Sequence, residues 1–108
     1  MRLYRGVVHR FGSSSEEDLK SNYERGRNPH PTDLKATVLY MAVSMFEDRD
    51  LVAYMCRRRP DRVGRYVAQI DLEPDHGVCV AQTNNPGHWS VWGVPAQLAR
   101  FVTDLTEA

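Results

Sequence analysis

Cysteine is scarce in this sequence: only Cys56 and Cys79 are present, and neither belongs to a CxxC pair or to a cluster with histidine. Two cysteines without such spacing exclude a disulfide-stapled scaffold and a zinc site of the Cys/His type. The four histidines lie far apart along the chain, so we expect no metal site. Both thiols are expected to be buried, in a reducing compartment.

The sequence also lacks a net charge and a long apolar run. Its 14 basic residues, twelve Arg and two Lys, balance 14 acidic residues, which argues against nucleic acid or an anionic membrane as a partner. No apolar stretch approaches the ~20 residues of a membrane span, and residues 1–6 show no apolar signal-peptide segment. The expected location is therefore the cytoplasm.

What the sequence does contain is enough apolar material for one core. A chain of 108 residues with 42% hydrophobic residues fits one domain, residues 1–108. Helical and strand patterns both occur, so the predicted fold class is α+β, with an antiparallel sheet and three to four helices packed on it.

The first quarter of the chain predicts one strand and one helix. Residues 3–11 alternate as a strand that places Leu3, Arg5 and Val7 on one face. A serine and a glutamate at capping-box spacing then predict a short helix over residues 14–25.

The middle of the chain predicts two helices. Residues 37–44 are apolar on both faces, which suits a buried strand or a buried helix about equally, and a cap at Thr32 slightly favours helix. Asp48 can cap a clearer helix over residues 49–58, which Pro60 ends. The apolar side of this second helix is predicted to carry Leu51, Val52, Tyr54 and Met55.

The last third of the chain predicts three strands and a closing helix. Alternation and turn residues place strands at residues 65–72, 78–82 and 88–93, and their short connections imply an antiparallel meander. Pro95 fits the first position of a helix. That helix is predicted to carry Leu98, Phe101, Val102 and Leu105.

Arg5 is the first candidate for a ligand-binding residue. It is a permanent cation in an apolar strand pattern, and Gly6 after it permits close approach of a backbone or a ligand. Its five donors could clamp a pyrophosphate or a carboxylate. The alternative interpretation is an edge-strand arginine paired with an internal acidic residue.

The segment Ser44-Met45-Phe46-Glu47 is the second candidate. A serine and an aromatic residue before a helix start can present a hydroxyl and free backbone N–H groups to an anionic ligand. The alternative is purely structural, with Ser44 as a local cap and Phe46 as a core residue. A phosphate loop, a GxGxxG segment and a Ser/His/Asp elbow are all missing from the sequence.

His88 and Trp92 lie on one short strand and are the third candidate. An aromatic residue and a histidine there could stack a base and supply a proton donor. If the protein is an enzyme, Glu47 or His88 would have to supply the acid–base step. More often such residues fill a small core.

The order of these segments resembles the outline of small ADP-ribosyltransferase-like domains. That resemblance rests on Leu-Tyr-Arg-Gly at Arg5, Ser-Met-Phe-Glu at Ser44 and Phe46, and Gly-Arg-Tyr-Val-Ala beginning at Gly64. It implies that Arg5 binds the phosphates of NAD and that Ser44 and Phe46 hold the nicotinamide ribose. The family's third feature, a glutamate on a late strand, finds no match, because Glu107 would fall at the end of the predicted closing helix.

Over nearly its whole length, including residues 21–27 and 87–93, the chain also resembles a family of small bacterial proteins. That resemblance implies a bacterial cytoplasmic protein without implying an activity. The sequence therefore leaves two functional hypotheses. One is binding of a nucleotide such as NAD or ADP-ribose, with NAD as substrate or ligand and no other cofactor, through Arg5, Ser44, Phe46 and Trp92. The other is a non-catalytic interaction module, a homodimer or the partner of a neighbouring gene product, anchored by Tyr23, Arg25 and Arg27 or by the aromatic strand.

Overall fold

A computed structural model describes residues 1–8, 15–27, 34–73 and 77–108. In these ranges six strands form one sheet and five helices pack on it, which confirms the predicted α+β class. The strands are β1 Arg2–Val7, β2 Val43–Phe46, β3 Tyr66–Asp71, β4 Cys79–Gln82, β5 His88–Trp92 and β6 Val102–Glu107. The helices are α1 Ser15–Asp18, α2 Leu34–Tyr40, α3 Arg49–Arg58, α4 Pro60–Val63 and α5 Pro95–Arg100.

The sheet has the strand order β4-β5-β2-β1-β3-β6, and every neighbouring pair is antiparallel. The predicted β4–β5 hairpin is confirmed, but the three-strand meander is wrong because β3 and β4 lie on opposite sides of β1. Leu72 and Val78, on either side of the predicted turn, are both buried in the larger core cluster. The turn residues after β3 correctly suggest that the strand ends there, but they do not indicate with which strand β4 pairs.

Two apolar clusters lie on opposite faces of the sheet. The larger contains Leu3 and Val7 of β1 together with Met45, Ile70 and Leu98. Alternation within β3 sends Ala68 and Ile70 into this cluster and Val67 into the other one. The smaller cluster holds α3 against the sheet through Val52, Ala53, Cys56 and Val67.

Helix α3 spans the predicted residues 49–58, but its buried side differs from the prediction. Leu51 and Tyr54 are exposed, and the buried residues are Val52, Ala53 and Cys56. The buried side faces β1 at Gly6, where an added Cβ atom would lie 2.5 Å from a Cγ atom of Val63 and 3.0 Å from the sulfur of Cys56. Small side chains fit that contact, and the larger Leu51 and Tyr54 are turned outward.

The N-terminus of α3 is capped as the sequence predicts. The Asp48 carboxylate accepts hydrogen bonds from the backbone N–H groups of Asp50 at 2.9 Å and Leu51 at 3.3 Å. We expect Asp48→Ala to lower the free energy of unfolding by about 1 kcal/mol, because two helix donors lose their partner. Urea unfolding measures this. Asp50→Ala is the control, since it removes an exposed first-turn carboxylate that is not the cap, and an equal loss in both variants would contradict the capping role.

Two helix predictions in the N-terminal half are corrected. Within the described part of residues 14–25 only Ser15–Asp18 is helical, because Ser21 then starts a turn in which its N–H and hydroxyl both bond to the Glu24 carboxylate. Such local side-chain bonds compete with a continuing helix. Residues 37–44 divide: α2 ends at Tyr40, and Val43 begins strand β2. Residues 9–11 of the predicted first strand lie outside the described residues.

The closing helix is shorter than predicted, since it ends at Arg100 and is followed by β6. The misleading signal was the spacing of Val102 and Leu105, three residues apart as on a helix. In the structure a β-bulge shifts the pairing of β6 with β3 between Gln69 and Ile70, so both Val102 and Leu105 reach the core side. An irregular strand thus produced a helical pattern.

Three further expectations can be compared with the structure. Cys56 is buried as expected, whereas Cys79 is exposed on β4, at the edge of the sheet, so its predicted burial is wrong. None of the helices in the described ranges has the length and apolar character needed to span a membrane. In the same ranges no three Cys, His, Asp or Glu side chains are grouped as metal ligands.

Candidate functional site

The sheet opens between its two central strands. β1 and β2 share a single register pair, Tyr4 with Phe46, although β1 stays paired with β3 as far as Val7 and β2 stays paired with β5 along its whole length. Beyond that one pair the two strands separate. Arg5 directly follows Tyr4 and lies at this opening.

The guanidinium of Arg5 is held across the opening by two backbone carbonyl groups. Its Nε donates to the carbonyl oxygen of Asp18 at 2.9 Å, and its Nη1 donates to the carbonyl oxygen of Ser44 at 2.8 Å. The Asp18 carboxylate accepts instead from the backbone N–H of Val8 at 2.9 Å. The anchors of Arg5 are therefore neutral carbonyl groups, and the described contacts use two of its five N–H donors.

A cavity of about 230 Å³ surrounds this opening, and we call it the basic pocket. No aspartate or glutamate is among the described residues that line it. The lining residues are Arg5, Lys20, Ser21, Asn22, Arg25, Arg27, Ala42, Val43, Ser44 and Arg62. Five of them are cations, contributed by β1, by the turn after α1 and by α4.

The turn over residues 20–27 brings three of the cations to the pocket. Arg25 is held against the turn by hydrogen bonds from its Nη2 to the carbonyl of Glu17 at 2.7 Å and from its Nε to the carbonyl of Lys20 at 3.2 Å. Lys20 pairs with Glu17 at 2.7 Å. The side chain of Arg62 has no hydrogen-bond or ion-pair partner among the described residues, and it is exposed at the edge of the pocket.

The charges of the pocket act on one another. Burial and the neighbouring cation Arg25 lower the pKa of Arg5 to about 10, while the Asp18 carboxylate acts in the opposite direction. Arg5 therefore stays charged at neutral pH, but its charge is less stable than that of an arginine in water. A bound anion would relieve this repulsion, which makes the pocket chemically suited to an anionic group.

The structure brings Arg5 and Ser44 together but separates them from the other predicted site residues. Ser44 is exposed on β2, directly opposite Ser90 of β5. Phe46 packs with the α3 cluster and meets the His88 ring edge to face, with centroids 5.1 Å apart. Phe46 thus belongs to the same strand as Ser44 without lining the basic pocket.

The remaining predicted residues make contacts that stabilise the fold. The Nδ1 of His88 lies 2.9 Å from the carbonyl oxygen of Thr83, and the Glu47 carboxylate accepts from the indole N–H of Trp89 at 2.8 Å. The indole N–H of Trp92 donates to the carbonyl of Val38 in α2 at 2.9 Å. Glu47, His88 and Trp92 do not line the basic pocket, and their catalytic or binding roles stay predictions.

Four cations of the pocket were not singled out as ligand-binding residues in the sequence. Lys20, Arg25 and Arg27 fall within eight residues that contain one acidic residue, Glu24, and this local excess was a usable signal. Arg62 gave no such signal, because only the fold brings α4 beside the turn. Arg25 and Arg27, which the sequence suggested as interface anchors, both border the pocket.

Glu107 also has a different position from the one expected. It lies on strand β6 opposite Tyr66, not on a helix, and borders a cavity of about 320 Å³ together with Arg57 and Arg65. The chain therefore does carry a glutamate on a late strand, outside the basic pocket. Comparisons of the chain with protein-family models, with curated proteins and with solved structures give no match.

Proposed function

We propose that this protein binds a nucleotide, of the kind of ADP-ribose or NAD, through its phosphate groups in the basic pocket. The observation that carries the proposal is the convergence of five cationic side chains on one cavity of about 230 Å³, with no carboxylate among the described residues that line it. The chain as a whole has no net charge, so this concentration is a local property of the fold.

Arg5 is the residue best placed to contact a phosphate. Its guanidinium is fixed by the carbonyls of Asp18 and Ser44 before any ligand arrives, so little side-chain entropy is lost on binding. Its remaining donors can form the paired bonds that a pyrophosphate accepts. Arg25, Arg27 and Arg62 then supply charge around the same volume.

The size of the pocket suits the phosphate portion of a nucleotide better than a whole nucleotide. Pockets that enclose a drug-sized ligand usually measure about 300–1,000 Å³, and this one is smaller. The rest of the ligand would extend outside it, and the exposed Ser44 on the pocket wall is the nearest hydroxyl donor on β2. The resemblance to ADP-ribosyltransferase-like domains likewise implies Arg5 and Ser44 as ligand-binding residues, whereas Phe46, which it also implies, does not line the pocket. We assign no reaction to the site.

Calorimetric titration with a graded set of ligands tests the proposal. We expect ADP-ribose and inorganic pyrophosphate to bind, orthophosphate to bind at least about 10-fold more weakly, and adenosine to give no heat, because the pocket recognises charge on phosphate. Binding should weaken as salt rises, since the cations are open to solvent on one side. Equal heats for adenosine and ADP-ribose, or no heat for any phosphate compound at low salt, would exclude phosphate recognition here.

A further inference from the structure

Five arginines crowd the corner where α3 meets α4. We call them the arginine ridge: Arg57, Arg58, Arg59, Arg62 and Arg65. All five are exposed. Within the described parts of the chain, none of their side chains donates a hydrogen bond or forms an ion pair, and the guanidinium of Arg58 lies against the ring of Tyr54.

The ridge carries more charge than the end of a helix requires. Arg57 and Arg58 lie in the last turn of α3, where cations stabilise the helix dipole. Arg59 is the C-cap residue of α3, Arg62 lies in the last turn of the four-residue helix α4, and Arg65 follows α4. The carboxylates identified beside the ridge are Asp61 in α4 and Glu107, which borders a cavity with Arg57 and Arg65. The corner therefore keeps a local positive excess in a chain with no net charge.

An aromatic ring and an apolar hollow accompany these cations. Tyr54 is 51% exposed, and the guanidinium carbon of Arg58 lies 5.8 Å from the centre of its ring. A cavity of about 300 Å³ opens there, with Met55 and Val63 as apolar walls and Arg59 at its side. A ligand with a flat apolar ring and adjacent negative charges would match the exposed ring, the apolar cavity and the neighbouring arginines.

We infer that the arginine ridge binds single-stranded nucleic acid, with phosphates on the arginines and a base stacked at Tyr54. Unpaired bases stack on aromatic side chains while basic residues follow the backbone, and the ridge offers both features side by side. Arg62 also lines the basic pocket, so the two surfaces are contiguous. A strand on the ridge would therefore pass the mouth of the pocket.

Fluorescence anisotropy with a labelled oligothymidylate and an oligouridylate of about 12 nucleotides tests this inference. The variant Arg58→Gln/Arg59→Gln is expected to bind at least about 10-fold more weakly at low salt, and the slope of log affinity against log salt should become shallower by about 1. Tyr54→Ala should cost about 10-fold by loss of stacking. The matched control, Arg2→Gln/Arg100→Gln, removes two exposed charges elsewhere and should bind as the wild type does.

Three outcomes would overturn the inference: no anisotropy change with either oligonucleotide at low salt, equal weakening in the control, or equally effective competition by polyglutamate, which would indicate an acidic peptide partner. Titration of Arg58→Gln/Arg59→Gln with ADP-ribose separates the two binding surfaces. Neither residue lines the basic pocket, so nucleotide affinity should be unchanged whether or not the ridge binds nucleic acid.

Discussion

Arg5→Ala is expected to lose at least about 100-fold in affinity for ADP-ribose, because it removes the one guanidinium that is both partly buried and held in place at the pocket. It should also lower the free energy of unfolding by about 2 kcal/mol, since the carbonyl groups of Asp18 and Ser44 lose their donor. Calorimetry measures the first effect and urea unfolding the second.

Three further variants separate binding from folding. Arg2→Ala alters the same strand at an exposed position paired with Asp71, and it should change neither measurement appreciably. Arg5→Lys keeps the positive charge but lacks the paired N–H donors of the guanidinium. Relative to Arg5→Ala, it should recover part of the free energy of unfolding but little of the affinity for ADP-ribose. Arg62→Ala removes a cation with no structural bond and should weaken binding while stability stays unchanged. Wild-type affinity in both Arg5 variants would refute the assignment of the pocket.

The largest effect on stability is expected at Gly64. This residue ends α4 with φ +118°, and a Cβ atom there would overlap the backbone of Val7 in β1. Gly64→Ala combines a strained backbone with a steric overlap that no side-chain rotation relieves, so we expect a loss on the order of 3 kcal/mol. The midpoint of thermal unfolding should fall by about 15 °C.

Gly26 supplies the matched control for that variant. It also has a positive φ, +78°, but an added Cβ would meet nothing within 4 Å. Gly26→Ala should therefore cost about 1 kcal/mol, from backbone strain alone. If the two substitutions were equally destabilising, the close approach of α4 to β1 would not be what requires a glycine at residue 64.

The local parts of the fold could be predicted from the sequence, and the pairings between distant parts could not. Helix α3 with its cap at Asp48 and the β4–β5 hairpin depend on neighbouring residues, and both predictions are confirmed. The position of β3 beside β1 depends on pairing between segments that are distant in the sequence, such as Leu3 with Ile70. The bulge that lets Val102 and Leu105 share one side is likewise a property of the pair β3–β6.

In the basic pocket, too, the local features could be predicted from the sequence and the long-range contacts could not. Alternation in the first strand placed Arg5 on the face with Leu3 and Val7, which is correct. The two groups that hold Arg5 are carbonyls 13 and 39 residues away in sequence. Backbone carbonyls leave no compositional signal, so no pattern of acidic residues could have indicated these partners.

The single register pair between β1 and β2 has a mechanical consequence. The sheet consists of two three-stranded halves, β4-β5-β2 and β1-β3-β6, joined in the ladder at Tyr4 and Phe46. Arg5 adds a second tie, since it begins in one half and bonds to Ser44 in the other. The sparse pairing of β1 with β2 leaves space for a ligand. A ligand bound there would contact both halves of the sheet and would be expected to stabilise their association.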